Sequence, residues 1–143
     1  MTPLEKAQEL IEELDTFAGV QGVGLPTLRY PQIGTPVIAT EALTVGVIDV
    51  TPHEQYSPVE CNASQLCTYS INVSRECSWT SDDDGVDDPV RIAEVSATLS
   101  ADSELLWNFA QQYRAYLSKQ WNVTFLLTGG LGITTMSFII GVD

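Results

Sequence analysis

The stretch "QLCTYSINVSREC", Gln65 to Cys77, alternates without a slip: Cys67, Tyr69, Ile71 and Val73 fall on one side, Thr68, Ser70, Asn72 and Ser74 on the other. A period of two belongs to the β-strand, whose successive side chains point to opposite faces. The pattern predicts a strand with its apolar side on a core and small polar groups displayed on the other. Upstream, "LTVGVIDVTP" from Leu43 is apolar on both sides and predicts a strand buried on much of both faces. The intervening "HEQYSPVECNAS" reads as a loop and carries the only histidine.

Helical signals flank this pair. In "TPLE", Thr2 suits an N-cap, Pro3 the first helical position, and Glu5 completes a capping box. Leu4, Ala7, Leu10, Ile11, Leu14 and Phe17 then make one apolar stripe, which predicts a helix over 2–18 ended by Gly19. Residues 19–42 are punctuated by glycine and proline and read as a long irregular connection with room for one brief strand. A second helical region runs from Pro89 to about Gln120, capped by Asp88. Its first half offers Val90, Ala93, Ala97 and Ile92 as a buried face, and its second half Leu105, Leu106, Phe109, Tyr113 and Leu117. Ser100 to Ser103 leave open whether this is one helix or two. "NVTFLL", "TGGLG" and "ITTMSFIIGVD" close the chain as a hairpin.

The order predicts a single α+β domain over residues 1–143. A largely antiparallel sheet of about four strands packs against an N-terminal helix and a long central helix.

With 44% apolar and 17% charged residues the chain is globular in composition. Its 19 acidic residues against six basic ones leave a formal charge of −13. Lys6, Arg29, Arg75, Arg91, Arg114 and Lys119 are scattered singly, so the basic cluster that nucleic acid or an anionic membrane requires is missing. No leader or spanning segment is predicted. Three cysteines, Cys61, Cys67 and Cys77, leave at least one unpaired, which favours a reducing compartment. The triplets at Asn62, Asn72 and Asn122 read as chance rather than glycosylation sites.

No catalytic constellation emerges, and neither a cofactor nor a metal ion is expected. His53 stands beside Thr51, Pro52 and Glu54, which form no nucleophile motif. Cys61, Cys67, Cys77 and His53 lack zinc-ligand spacing. "TGGLG" is followed by a strand instead of a helix, so it is a turn and not a phosphate loop. "SDDDGVDDPV", from Ser81, sets five aspartates within seven residues. Counted from Asp82, its glycine comes fourth and not sixth, which fails the EF-hand pattern. Asp87 and Asp88 suit the following helix N-terminus. Asp82, Asp83 and Asp84 have no such local role and read as a solvated loop.

Three stretches in order carry a resemblance. "INVSREC" holds Arg75 and Cys77, "DPVRIAEVSATLSADSELLWNF" holds Asp102 with Leu105 and Leu106, and "LTGGLGITTMSFIIGV" holds Gly129, Gly130 and Gly132. Together they resemble the tail terminator proteins of long-tailed (siphovirus-type) bacteriophages, particularly those of actinobacteria, over about two thirds of the chain. Ser78 stands where that family has proline after its Arg-x-Cys.

The resemblance implies a non-enzymatic virion protein at the head–tail junction, assembled in host cytoplasm as a homohexameric ring. Such a ring ends tail-tube polymerisation. Its partners are further copies of the chain, the major tail tube protein and a head-completion or connector protein, while genomic DNA passes through without specific binding. Like charge between wall and phosphate suits a conduit, and some of Asp82, Asp83 and Asp84 would then line the bore or its rim. The rival readings are another head–tail connector protein, an acidic cytosolic protein-binding module, and a metal-dependent enzyme working through the aspartates.

Overall fold

The computed structural model describes residues 1–52, 65–79, 86–113 and 122–142. Along the chain come α1 (Pro3–Gln21), β1 (Arg29–Ile33), β2 (Ala42–Pro52), β3 (Gln65–Glu76), α2 (Pro89–Tyr113), β4 (Asn122–Thr128) and β5 (Leu131–Val142). The architecture is α+β, and the five strands form one sheet in the order β1-β2-β3-β5-β4. The strand beyond the four expected is β1, the brief extended piece of the Gly/Pro connection. It pairs parallel to β2, while every other neighbouring pair is antiparallel.

The α1 start follows its sequence signals. The Thr2 hydroxyl accepts from Glu5 N at 3.1 Å, and Thr2 N donates to the Glu5 carboxylate at 3.3 Å. The helix does not stop at Gly19, however. It ends at Gly22, whose φ of 72° is left-handed and whose N–H reaches the carbonyls of Ala18 and Gly19. Only the later glycine closes the last turn that way.

The two longest pairings, β2 with β3 and β3 with β5, form the sheet's spine. In register, Val45, Ile71 and Met136 stand abreast, as do Val47, Tyr69 and Phe138. These side chains face both helices. Tyr69 donates its hydroxyl to Pro3 O in α1 at 2.9 Å, and Arg75, six residues along the same strand face, reaches Asp102 in α2. The α1 helix lies over β1 and β2, and α2 over β5 and β4. The helices meet through the edge-on rings of Phe17 and Phe109, 5.8 Å apart.

The other sheet face departs from expectation. Ser70, Asn72 and Ser74 are buried rather than displayed. Asn72 Oδ1 accepts from the hydroxyls of Ser70 and Thr135, and Ser74 donates to Thr40 O at 2.9 Å. Part of the irregular connection folds over this face. Gly34 N donates to Val47 O at 2.8 Å, and buried Pro36 lies over Gly46. A Cβ at Gly46 would stand 2.6 Å from Pro36 Cδ and 2.7 Å from Gly34 O, so only glycine admits the strap.

Two further outcomes concern α2 and the hairpin. The α2 helix runs unbroken through Ser100 to Ser103. Its first half, though, is rotated from expectation: Val90, Ala93, Ala97 and Ile92 are exposed, while Val95 and Leu99 are buried. Val95, Leu99, Asp102, Leu106 and Phe109 follow a 4-3-4-3 spacing and share one side. The hairpin turn is only Gly129 and Gly130, both at positive φ, and Leu131 and Gly132 already belong to β5.

Candidate functional site

Asp82, Asp83 and Asp84, along with His53 and Cys61, lie outside the described residues. The structure does describe where the acidic segment is rooted. Asp88 N donates to Trp79 O at 2.8 Å, closing the base of the excursion. Asp88 Oδ1 accepts from Val90 N at 3.0 Å, and Ile92 N donates to Asp88 O, so Asp88 caps α2 as its position predicts. Its other oxygen lies 3.7 Å from Arg91 Nε.

The residues that carry the sequence resemblance converge just beyond this root. Arg75, facing the helices from the end of β3, donates through Nε to Asp102 Oδ2 at 3.0 Å and through Nη2 to Asp102 Oδ1 at 2.8 Å. It also donates to Gly24 O at 2.8 Å, tying the start of the connection after α1 to the same point. The Asp102 side chain is 2% exposed, a carboxylate within an apolar helix face. A paired fork of this kind is among the stronger charge-assisted contacts. Beside it Cys77 N donates to Gly130 O at 2.8 Å, so the end of β3 is stitched to the hairpin turn. Gly132 sits beneath Leu99, where a Cβ would come within 3.0 Å of Leu99 Cδ2 and 3.3 Å of Cys77 Sγ. Arg75, Cys77, Asp102, Gly130 and Gly132 thus form one joint between β3, α2 and the β4–β5 hairpin.

Residue-level reading alone did not single out Asp102; only the family pattern did. A signal was present, since Asp102 occupies a core position in the 4-3-4-3 row, where a carboxylate needs a buried cation. Which of the scattered cations answered it was not legible.

Above the joint opens a shallow cleft of about 230 Å³, lined by Arg75, Glu76, Cys77, Arg91, Glu94 and Leu99 among others. Arg75 is held by Asp102 and Gly24 O, and Arg91 by Asp88. Burial pushes the Cys77 thiol up, away from the thiolate that nucleophilic or metal chemistry needs. The cleft's chemistry is that of a structural seam. Cys67 is also raised by burial, and the Tyr69 hydroxyl strongly so. Among the described residues no group of three or more His, Cys, Asp or Glu is placed to hold a metal ion, and no helix is long and apolar enough to cross a membrane. Of the glycosylation triplets, Asn72 is buried within the sheet network, which bars modification there.

The outer surface has two marked features. Each described side-chain cation has a carboxylate partner within the chain: Lys6 with Glu9, Arg29 with Asp15, Arg75 with Asp102 and Arg91 with Asp88. Among the described residues, the charge left without an ion-pair partner is therefore acidic. Against it stands β4, an uncharged edge strand with Phe125, Leu126 and Leu127 all exposed. No protein-family model matches the chain, and no curated protein does.

Proposed function

We propose that this chain is a structural subunit of a bacteriophage tail terminator, a ring at the head-proximal end of the tail tube that halts its polymerisation and joins tail to head. What carries the reading is the convergence of the three resembling stretches. Separated by up to 57 positions in sequence, from Arg75 to Gly132, they are bonded into a single joint. Residues that share one mechanical task explain why such a pattern occurs in order along the chain. The acidic surface supports the conduit role, since a wall of the same sign as DNA phosphate does not hold it. In this reading some of Asp82, Asp83 and Asp84 line the bore or its rim.

The test is a phage in which this gene is silenced by a nonsense codon. Tails of uncontrolled length in electron micrographs are expected, with normal length restored by supplying the protein. Tails of normal length that fail to join heads would reject the terminator and leave the connector reading in place.

The second reading is an acidic module that binds a basic protein. It is favoured by the internal pairing of every described cation, which leaves the charge on the described surface suited to positive partners. Pull-down of a basic host protein, together with normal tails in the silenced phage, would select it.

A further inference from the structure

We propose that β4 is a self-pairing edge: two copies of this chain join antiparallel along Asn122–Thr128, with Phe125 facing Phe125 of the second copy. This is a two-fold contact and does not rest on the ring reading.

The two edges of the sheet differ in how they are protected. An unpaired strand edge invites another strand, and proteins blunt such edges with proline, charge or bulges. On β1, Leu28 O and Gly34 N point to β2, so Arg29, Pro31 and Ile33 turn their main chain outward. The residue at the centre of that edge therefore has no N–H to offer. Beyond Val47, where β1 ends, β2 carries a register shift before Asp49. The β4 edge has neither device: its seven residues contain no proline and no charge, and its register with β5 is unbroken.

The hairpin turn sets which main-chain groups β4 presents. Gly129 and Gly130, at φ 55° and 79°, make a two-residue turn of the I′ kind. The flanking pair Thr128 and Leu131 then exchanges both main-chain bonds, and Leu126 and Thr124 follow with it toward β5. Val123, Phe125 and Leu127 direct their N–H and C=O away from β5, where no described strand pairs with them.

The strand's own sequence selects the occupant. Read antiparallel about Phe125, "NVTFLLT" matches itself in the helix-side row and at its ends: Val123 meets Leu127, Phe125 meets Phe125 and Asn122 meets Thr128, with the mixed pair Thr124 and Leu126 on the other face. Apolar stands against apolar on the helix side, and polar against polar at the ends, which is what an isologous contact requires. Charge agrees. A second copy also carries −13, so contact through most of the surface is repulsive, whereas β4 brings no charge to the joint. A basic partner would gain nothing from an uncharged strand.

Sedimentation velocity on the full chain over a concentration series tests this, alongside hydrogen exchange of the β4 amides. A monomer–dimer equilibrium is expected, with a dissociation constant on the order of 10 μM as befits a small interface. Exchange at Val123, Phe125 and Leu127 should slow as concentration rises, while Thr124 and Leu126 stay unchanged. Phe125→Lys should weaken the dimer at least about tenfold, and Ile33→Lys, on the blunted edge, should leave it intact. A wild type that stays monomeric without concentration-dependent protection overturns the proposal. So does an assembly that survives Phe125→Lys, and if that assembly is a hexamer, the ring reading stands without this contact.

Discussion

Arg75 and Asp102 are the residues on which most of the described fold turns, because one fork joins a strand, a helix and the loop after α1. Removing one partner strands the other's charge in a poorly solvated place, which costs more than the pair itself contributes. Asp102→Ala should cost about 3 kcal/mol, seen as a lower urea midpoint. Thr44 presents the opposite case: its hydroxyl is buried with no hydrogen-bond partner, on a side chain close in shape to valine. Thr44→Val should raise stability by about 1 kcal/mol, measured as a higher Tm. Glu13 is a second liability, since burial raises its carboxyl above the ordinary 4.5 against the pull of Lys6. The folded chain then holds that proton more tightly than the unfolded chain, so stability falls as pH climbs through 4.5 toward the raised value. Glu13→Gln should flatten that slope and raise Tm at neutral pH. Glu9 works the other way. The Lys6 bond at 2.9 Å lowers its carboxyl, so its contribution is present above 4.5 and fades on acidification.

Elements were legible where their period was strong, as in α1 and β3, and illegible where rotation or cover came from elsewhere. For the first half of α2 the sequence offers two faces. Val90, Ala93 and Ala97, with Ile92, make one, whereas Val95 and Leu99 continue the row that ends in Leu106 and Phe109. Clamping Asp102 to Arg75 decides between them. The polar side of β3 was misjudged for a similar reason: alternation assigns residues to a face but says nothing of the strap that crosses it. Gly46→Ala must push Pro36 and Gly34 away, so the variant should lose about 2 kcal/mol. Amide exchange should quicken at Gly34, whose bond to Val47 O holds the strap down.

For the molecule as a whole, charge is the dominant fact. With −13 on a chain whose described cations are already paired, the folded state carries substantial self-repulsion. Raising salt from about 10 to 150 mM, which shortens the screening length from roughly 30 to 8 Å, should therefore raise Tm. A fall would mean that the internal pairs outweigh the repulsion. The candidate site divides along the same line. The seam residues Arg75, Cys77, Asp102 and Gly130 stood out in sequence as a pattern but not as neighbours, and the aspartates Asp82, Asp83 and Asp84 stood out as charge without an address.

Local chemistry in the sequence determined the α+β class, the capped first helix, the apolar face of the central strand and the acidic character of the surface. Each depends on residues within a turn or two of one another. Tertiary structure alone decided the parallel seat of β1, the rotation of α2, the cover over the second sheet face and which arginine meets Asp102. Those outcomes turn on which distant groups can be buried together without leaving a charge or a main-chain bond unmet, a condition that no short window of sequence contains.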